Sequence, residues 1–310
     1  MRSMLRKLRS LLKPACFEEK LDTLLISQAL FHAKANRKLT KIPDLTAIEF
    51  KAFSQWGEDG IVDWLIARLP RIPESFIEFG VQNYRESNTR LLCHLRNWRG
   101  LVMDSSEENI AAIRRQSIWW RHDIEPKRAF ITRENINQLI EESGLSGDIG
   151  LLSIDIDGND FWVWQAIEVV KPWIVICEYN ALLGDTAMIS VPYDPSFQIT
   201  QAHYSNLYFG ASIRALEFLA QQKGYVLVGT NSAGVNAFFV RKDKSAMIMN
   251  CLENILLHGS RMRQSRDIAG RLTGLSGRER ISVIQEMPVV DVVTGETNRL
   301  VEIENLWSEL

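Results

Sequence analysis

The chain has 310 residues, of which 46% are hydrophobic and 24% are charged, with a formal net charge of −2. This composition supports a substantial hydrophobic core and excludes a disordered chain, a collagen-like repeat or a heptad rod as a description of the whole protein. The small net charge does not favour a polyanion, so no nucleic-acid partner is expected. No apolar run reaches the roughly 18–20 residues that a membrane-spanning helix requires.

Basic residues are concentrated at the N-terminus. Residues 1–41 contain ten Lys or Arg and three acids, whereas the rest of the chain contains 26 bases and 35 acids. Within residues 1–14, apolar residues recur at helical spacing among basic ones. This predicts a basic amphipathic helix at the start of a mostly helical extension over residues 1–50, with breaks near Pro14 and Pro43. Two alternatives stay open: the helix rests on an anionic membrane surface, or it packs on its own domain or on a partner.

The four cysteines are widely spaced and form no C-x-x-C pair; they stand at positions 16, 93, 177 and 251. Free thiols in a reducing cytoplasm explain this spacing better than a zinc site or a disulfide framework. Residues 1–14 also lack the apolar core of a secretory signal. The sequence therefore predicts a cytoplasmic protein, at the inner face of the membrane if the N-terminal helix meets lipid.

Apolar strands alternate with helices from residue 51 onward. The predicted strands are 75–79, 100–103, 128–132, 149–154, 173–177, 225–228 and 236–240. The predicted helices are 59–69, about 88–98, 107–116, 135–142, 160–170 and 212–223. This order predicts an α/β domain over residues 51–242. Its sheet is Rossmann-like, mostly parallel and seven-stranded, with helices on both faces and an antiparallel terminal strand pair.

Two segments depart from this rhythm. Residues 181–211 are long and poorly patterned, and a loop of that length is usually functional or a lid. Residues 243–310 are predicted to form a C-terminal extension, helical over 243–285 and followed by a hairpin that turns at 294–296.

Polar residues follow four of the predicted strands, where parallel sheets bind their ligands. These strand ends read Glu78-Phe-Gly80-Val-Gln-Asn83, Asp104-Ser105, Asp155-Ile-Asp157 and Glu178-Tyr-Asn180. Gly80 lets the backbone approach a ligand closely, and Asp104 stands where an acid can bind ribose hydroxyls. Because a G-x-G-x-x-G pattern is missing, a nicotinamide dinucleotide is disfavoured. The sequence instead predicts a nucleoside ligand without a large phosphate.

Acidic residues cluster after the fourth and fifth strands. Asp155, Asp157 and Asp160 fall within six residues, and Glu178 and Asn180 end the next strand. Oxygen ligands converging there suit Mg²⁺, Mn²⁺ or Ca²⁺. The alternative is that the segment from Asp157 to Asp160 supplies only turn and helix-cap chemistry.

His203 lies in the unpatterned segment, near Tyr204 and Tyr208. It is a candidate general base, because the pKa of histidine lies near neutrality. The alternative is a solvated loop histidine.

Five motifs, in this order, resemble the class I S-adenosylmethionine-dependent methyltransferases. They are Ser54-Gln-Trp-Gly-Glu-Asp-Gly60, Phe76-Ile-Glu-Phe-Gly80, Glu86-Ser-Asn-Thr89, Trp98-Arg-Gly-Leu-Val-Met-Asp104 and Leu152-Ser-Ile-Asp-Ile-Asp-Gly-Asn-Asp160. The likeness is greatest to the FkbM-type group, which is often associated with polysaccharide and natural-product O-methylation. It covers about residues 50–241 and departs from the family pattern at Val81 and Gln82, where small residues are usual.

The resemblance implies roles for individual residues. Glu78 and Gly80 would meet the methionine end of S-adenosylmethionine, Asp104 would hold its ribose, and Asp155 would lie near both cofactor and acceptor. Asn83 and Ser105, beside these motifs, complete the predicted cofactor-binding set. Some related sugar methyltransferases hold a metal with acids after strands four and five. The residues that could correspond to that set here are Asp155, Asp157, Glu178 and Asn180, with Mg²⁺ or Mn²⁺ as the ion.

The function that the resemblance implies is O-methylation of a sugar or polysaccharide-type hydroxyl, with His203 and Asp155 as the catalytic residues. The partner would be a small-molecule or glycan acceptor, and self-association stays open. One alternative is a metal-dependent glycosyltransferase that uses Asp155-Ile-Asp157 as a D-x-D triplet. The other is a non-catalytic scaffold that retains the fold. The glycine after strand one and the spacing to Asp104 favour the methyl donor.

Overall fold

The computed structural model of the chain describes residues 14–308. The amphipathic helix predicted over residues 1–14 lies outside this range except for Pro14, at which the first described helix begins. Within the described range, no helix combines the length and the apolar character needed to cross a bilayer.

The described part of the chain alternates strands and helices. The strands are β1 Ser75–Phe79, β2 Arg99–Asp104, β3 Ile124–Arg128, β4 Gly147–Ile154, β5 Val170–Glu178, β6 Ile189–Ser190, β7 Tyr225–Thr230, β8 Asn236–Arg241, β9 Pro288–Asp291 and β10 Thr297–Arg299. The α-helices are α1 Pro14–Asn36, α2 Glu58–Ala67, α3 Arg90–Arg96, α4 Glu107–Arg115, α5 Ser117–Arg121, α6 Ile136–Glu141, α7 Asp160–Ala166, α8 Ile199–Ala202, α9 Ile213–Lys223 and α10 Ala246–Met249. Short 3₁₀ segments lie at Leu45–Ile48, Ala181–Leu183, Lys242–Lys244, Gly277–Val283 and Leu300–Glu302.

Seven strands form one sheet in the order β3-β2-β1-β4-β5-β8-β7. The neighbours from β3 to β5 pair in parallel, and β8 runs antiparallel to both β5 and β7. The predicted α/β class, seven-stranded sheet and antiparallel terminal pair are therefore confirmed. The strand order reverses between β1 and β4, and at such a reversal an open α/β sheet forms its ligand crevice.

Hydrophobic side chains alternate between the two faces of the sheet. Phe76 of β1 packs in the cluster that also holds the apolar residues of α2, α3 and α4. Ile77 and Phe79 pack in the opposite cluster, with α6, α7 and α9. Each strand is thus apolar on both sides because helices cover both faces, as the continuous apolar runs predict.

The segment before α2 is held by a buried carboxylate. One oxygen of Asp59 accepts hydrogen bonds from the backbone N–H groups of Ala52, Phe53 and Ser54, at 2.7–2.8 Å, and from the Ser54 hydroxyl. Burial still raises the pKa of Asp59, to about 6. This part of the Ser54–Gly60 motif fixes the loop that leads into α2.

Gly60, the last residue of that motif, is where α2 meets the preceding backbone. A Cβ at this position would stand 2.1 Å from the Ile48 carbonyl oxygen and 2.5 Å from the Phe50 nitrogen. The Gly60 N–H also donates to the Phe50 carbonyl. Only a residue without a side chain permits this approach.

The third strand differs from its prediction. It runs over Ile124–Arg128 and pairs with β2, whereas the sequence predicts 128–132. Because this strand contains Pro126 and three charged residues, it lacks the apolar pattern by which the other strands were predicted. These residues are tolerated because β3 is the edge of the sheet and one side of its backbone has no strand neighbour.

Two further predicted boundaries are wrong. Helix α7 ends at Ala166 instead of 170, because Val170 pairs opposite Gly147 as the first residue of β5. The helix predicted over 243–285 is mostly irregular chain, with α10 and the 3₁₀ segment Gly277–Val283 as its regular parts. Gly270 and Gly274 adopt positive φ within it, a conformation that interrupts a helix.

The predicted hairpin after residue 288 is confirmed as the antiparallel pair β9–β10. The segment 181–211 contributes β6 to the same small sheet, in the order β10-β9-β6. Its apolar residues pack with those of the C-terminal segment in a separate cluster. The poorly patterned loop and the C-terminal extension therefore support each other.

For Gly60→Ala, helix propensity and the close backbone contact predict stability changes of opposite sign. Helix propensity alone predicts that Gly60→Ala stabilises the protein by about 1 kcal/mol. The backbone contact predicts instead a loss of about 3 kcal/mol, because neither obstacle is a flexible side chain. Denaturant unfolding measures the difference. Gly259→Ala, at which a Cβ meets nothing within 4 Å, is the matched control and is expected to change stability little. A gain of stability in Gly60→Ala would contradict the described packing.

Candidate functional site

A cavity of about 330 Å³ opens beyond the carboxyl ends of β1, β2, β4 and β5. This volume lies within the ~300–1,000 Å³ range of small-molecule sites. We call it the edge cavity; its lining residues are Gln55, Gly80, Gln82, Met103, Asp104, Ser105, Ala129, Phe130, Ile131, Asp155, Ile156, Asp157, Asn159, Glu178, Phe197, Val235, Met262 and Gln264. Strand ends that are far apart in sequence thus contribute to one site, as the parallel sheet predicts.

The floor of the edge cavity is the contact between the ends of β1 and β4. Gly80 has φ +68°, and its N–H donates to the Met103 carbonyl at 2.9 Å. A Cβ on Gly80 would stand 1.7 Å from the Asp155 carbonyl oxygen. The chain therefore needs glycine here both for its φ and for the approach of the neighbouring strand end.

The loop after β1 holds its shape without further glycines. Gln82 has φ +47° and Tyr84 has φ +61°, which is an uncommon conformation for residues with side chains. The Gln82 N–H donates to Asp104 Oδ2 at 2.8 Å, and the Tyr84 hydroxyl bonds with the Thr89 hydroxyl inside the protein. These contacts hold the loop at the point where the sequence has Val81 and Gln82 in place of the small residues that are usual in the methyltransferases it resembles.

Asp104 lines the edge cavity and is nearly buried. Its Oδ1 accepts from the Ser106 N–H and the Asn109 amide, and its Oδ2 accepts from Gln82. A carboxylate offers about four acceptor positions, so about one remains, on Oδ2. Asp104 can therefore hold one ligand hydroxyl in addition to fixing the two loops around it.

Three carboxylates after β4 and β5 form what we call the acidic cluster: Asp155, Asp157 and Glu178. One oxygen from each lies within 4.8 Å of the others. Asp157 has φ +56°, a strained conformation that turns the chain sharply between Asp155 and Gly158. Oε2 of Glu178 is enclosed and has no hydrogen-bond partner. A buried acceptor without a donor is costly, so this arrangement suits a positively charged partner.

Burial and the crowding of like charges raise the pKa values of the carboxyls in the acidic cluster. Burial, together with repulsion from neighbouring carboxylates, raises the pKa of Asp155 and of Glu178 well above the usual range. Burial and the charge of Asp104 raise the pKa of Asp157. Three like charges cannot all persist at this spacing without a proton or a cation among them.

Asn180 of the predicted metal set, and the neighbouring acid Asp160, serve the backbone instead. Asp160 accepts from the N–H groups of Ile156 and Gly158, and burial raises its pKa to about 6. The Asn180 amide donates to two carbonyls of the loop at Leu207 and Phe209, and its oxygen accepts from Leu182. Asp160 therefore matches the turn-and-cap alternative, and Asn180 lies outside the acidic cluster.

Three other predicted site residues do not line the edge cavity: Glu78, Asn83 and His203. The Glu78 carboxylate accepts from the Ser87 hydroxyl and the Asn88 N–H, so it holds the turn before α3. Asn83 caps its own loop through the Arg85 N–H. The predicted cofactor residues that do meet there are Gly80, Asp104, Ser105 and Asp155.

His203, the predicted base, stands at the end of α8. Its Nδ1 bonds with the Ser205 hydroxyl at 2.7 Å, and its ring lies 4.2 Å from the Tyr204 ring. Partial burial lowers its pKa. The structure gives it these local partners and does not bring it to the acidic cluster.

The structure adds lining residues that the sequence did not suggest. Phe130, 45% exposed, follows β3 and was hidden in a predicted strand. Met262 and Gln264 come from the irregular chain that was predicted to be helical. The Phe197 ring covers Gly158, where a Cβ would stand 2.2 Å from a ring carbon. The length of the segment 181–211, which holds Phe197, was the only sequence signal for any of these residues.

The charged residues of the described chain that line the edge cavity are all acidic. Four of its lining residues are Asp or Glu, and within residues 14–308 no Lys or Arg lines it. A ligand that carries positive charge is therefore favoured, and one that carries phosphates is disfavoured unless a cation accompanies it.

Several solved methyltransferase structures are similar to the chain. An O-methyltransferase from Bacillus cereus in complex with SAH is 15% identical with a TM-score of 0.35, and the match covers 69% of this chain and 88% of that one. An O-methyltransferase family protein from Burkholderia thailandensis is 11% identical with a TM-score of 0.35, over 66% of this chain and 60% of that one. A putative sarcosine dimethylglycine methyltransferase from Galdieria sulphuraria is 11% identical with a TM-score of 0.36, over 67% and 75%.

No family model and no curated protein matches the chain. TM-scores of this size do not establish a common overall structure. The fold class rests on the strand order and register of the chain itself.

The acidic cluster predicts a pH dependence of stability. A carboxyl whose pKa is raised in the folded state keeps a proton that the unfolded chain has lost, so stability is lost as pH rises through the folded-state value. In chelator, the thermal midpoint should fall as pH rises above about 4, the pKa of the carboxyls in the unfolded chain. Mn²⁺ should reduce this fall, because it replaces the proton as the positive partner, and its binding is measured directly by electron paramagnetic resonance.

Glu178→Gln and Glu286→Gln provide the matched pair for this experiment. Glu286 is an exposed acid whose partner is Arg299, and it belongs neither to the acidic cluster nor to the lining of the edge cavity. Glu178→Gln should flatten the pH profile and weaken Mn²⁺ binding, and Glu286→Gln should change neither. Equal profiles with and without Mn²⁺ in the unaltered chain would show that the cluster holds no cation.

Proposed function

We propose that the chain is an S-adenosylmethionine-dependent O-methyltransferase of the FkbM-type group, acting on a sugar or polysaccharide-type hydroxyl. The observation that carries the proposal is the convergence of Gly80, Asp104 and the acidic cluster on one cavity without basic lining residues among those described. S-adenosylmethionine carries a sulfonium and an ammonium group, so an acidic cavity at the strand-order reversal suits it.

The edge cavity offers a distinct contact for each part of that molecule. The open acceptor position on Asp104 suits a ribose hydroxyl. Phe130 presents an aromatic face on which a planar base can stack. Gly80 lines the cavity, where its backbone can meet the methionine portion.

The acidic cluster fits a divalent cation such as Mg²⁺ or Mn²⁺. Its three carboxylates come within 4.8 Å of one another, and the unpartnered Oε2 of Glu178 is the kind of hard oxygen that these ions bind. The residues that would hold the ion are Asp155, Asp157 and Glu178. When bound, the ion would lower the pKa of an acceptor hydroxyl that reaches it.

When bound, S-adenosylmethionine supplies a methyl group that an acceptor oxygen takes in line as the sulfonium leaves as a neutral thioether. Asp155 or Glu178 can accept the proton from the acceptor hydroxyl when it is ionised and holds no cation; with a cation in the cluster, the ion would instead lower the pKa of that hydroxyl. Phe197 closes one side of the cavity over Gly158 and limits access of water. His203 stays a predicted base that kinetics must test.

A metal-dependent glycosyltransferase is the second candidate. It is favoured by the presence of both acids of the D-x-D triplet, Asp155 and Asp157, in the acidic cluster. Against it stands the lining itself, since the described residues offer a diphosphate no Lys or Arg. A scaffold role is not supported by a strained, unsatisfied acidic cluster in an open cavity.

The donor half of the proposal is tested by calorimetry. S-adenosylmethionine and S-adenosylhomocysteine should bind the full chain, and UDP-glucose with Mn²⁺ should not. Phe130→Ala should weaken S-adenosylmethionine about tenfold through lost stacking. Phe31→Ala is the control, since Phe31 is an exposed phenylalanine of α1 outside the edge cavity. Binding of UDP-glucose alone would favour the glycosyltransferase.

The choice of base is tested by methyl transfer to simple glycosides. Glu178→Gln should lower kcat by roughly 10²–10⁴, the usual contribution of general acid–base catalysis. His203→Gln should change kcat by less than about threefold, because its partners are Ser205 and Tyr204. A loss in His203→Gln as large as that in Glu178→Gln would restore the histidine as the base.

A further inference from the structure

Two further cavities share lining residues with the edge cavity or with each other. The bridging cavity, about 70 Å³, shares Asp157 and Glu178 with the edge cavity. It also shares Leu182, Ser260 and Arg280 with the distal cavity, about 230 Å³. The three cavities are therefore neighbours, and their walls run from the acidic cluster to the C-terminal segment.

Arg280 lines both the bridging and the distal cavity, and it is 3% exposed. Its guanidinium donates to the backbone carbonyls of Gly277, Met262 and Ser260. An arginine has five N–H donors, so two have no partner in the described chain. No carboxylate of residues 14–308 pairs with it, although its charge is withdrawn from water.

The wall of the distal cavity carries a second arginine. Arg278 lies over the Trp307 ring at 4.9 Å from its centroid and forms no ion pair within residues 14–308. The one carboxylate of this wall, Asp185, accepts from the N–H and the hydroxyl of Ser308. The two arginines therefore leave the distal cavity with excess positive charge.

The two ends of this series of cavities thus have opposite charge. The edge cavity has acids and no described base, and the distal cavity has two arginines against one acid. Uncompensated buried charge is costly, so a buried guanidinium with free donors indicates an anionic partner. The half-buried Trp307 adds apolar surface to the same wall.

We infer that the distal cavity binds the acceptor through an anionic group, a carboxylate or a phosphate ester on the sugar, which Arg280 and Arg278 recognise. The inference rests on the proposed function, because it places the reacting hydroxyl at the acidic cluster. Arginine suits both groups, since its planar fork donates two parallel hydrogen bonds to either.

Calorimetry on the full chain tests the inference with three probes at constant ionic strength: methyl β-glucuronide, glucose 6-phosphate and methyl β-glucoside. At least one anionic probe should bind about tenfold more tightly than the neutral glucoside. The better of the two identifies the group. Arg278→Gln should reduce this ratio to about twofold or less. Arg271→Gln, an exposed arginine of the same segment paired with Asp267, should leave the ratio unchanged.

Arg280→Lys separates recognition from mere support of the chain that Arg280 holds. Recognition predicts weaker binding of the anionic probe with unchanged binding of the glucoside. A supporting role predicts equal loss for all probes and for S-adenosylhomocysteine, since Met262 also lines the edge cavity. If Arg280→Lys does not fold, Arg278→Gln decides alone. Equal binding of charged and neutral probes to the unaltered chain would overturn the inference.

The same titrations separate this inference from the proposed function. Binding of S-adenosylhomocysteine without any preference for an anionic probe would reject the inference and leave the proposed function standing. An anion preference that Arg278→Gln abolishes, without binding of S-adenosylhomocysteine, would keep the distal site and reject the methyltransferase.

Discussion

Repulsion among carboxylates at one edge of the sheet governs the chemistry of this protein. Asp155, Asp157 and Glu178 stand within 4.8 Å of one another because β4 and β5 are parallel neighbours that end at the same level. The sheet imposes this crowding, and folding must supply a proton or a cation to relieve it. The positive φ of Asp157 and the enclosed oxygen of Glu178 are the local features that make the acidic cluster a candidate binding site.

The backbone geometry nearby serves the same site. Gly80 allows the end of β1 to approach the Asp155 carbonyl, and Asp104 joins the loops after β1 and β2 through three hydrogen bonds. A cavity therefore forms at the strand-order reversal. Acidic side chains line its walls, and the backbone contacts restrict their orientation. In such a site, the charge of a ligand contributes strongly to whether the ligand binds.

Much of this was predictable because parallel strands end at one edge. Gly80, Asp104, Asp155, Asp157 and Glu178 could be found as residues that follow apolar runs. Side-chain direction was harder to predict. Glu78 lies one position from Phe79, so the alternation of the strand turns it toward α3, where it binds Ser87 and Asn88. Asn180 was assigned to the metal set by its place at the end of the strand and by the resemblance, but its amide donates to backbone carbonyls after β5.

The parts that were mispredicted share a physical cause. β3 is a partly exposed edge strand, so its charged residues and Pro126 conceal it, and Phe130 was placed in the strand instead of the cavity wall. The chain after residue 243 owes its course to long-range contacts. One of these is the grip of Arg280 on the carbonyls of Ser260 and Met262, which no local pattern encodes. The residues that cover the edge cavity were therefore less predictable than the strand ends that form its floor.

We propose that the edge cavity holds an adenosyl sulfonium at the meeting point of β1, β2 and β4. A crystal structure of the chain with S-adenosylhomocysteine tests this placement. The ribose should lie on Asp104, the base against Phe130 and the sulfur beside the acidic cluster. A ligand bound elsewhere, or a well-ordered protein whose edge cavity holds only solvent at saturating S-adenosylhomocysteine, would contradict it.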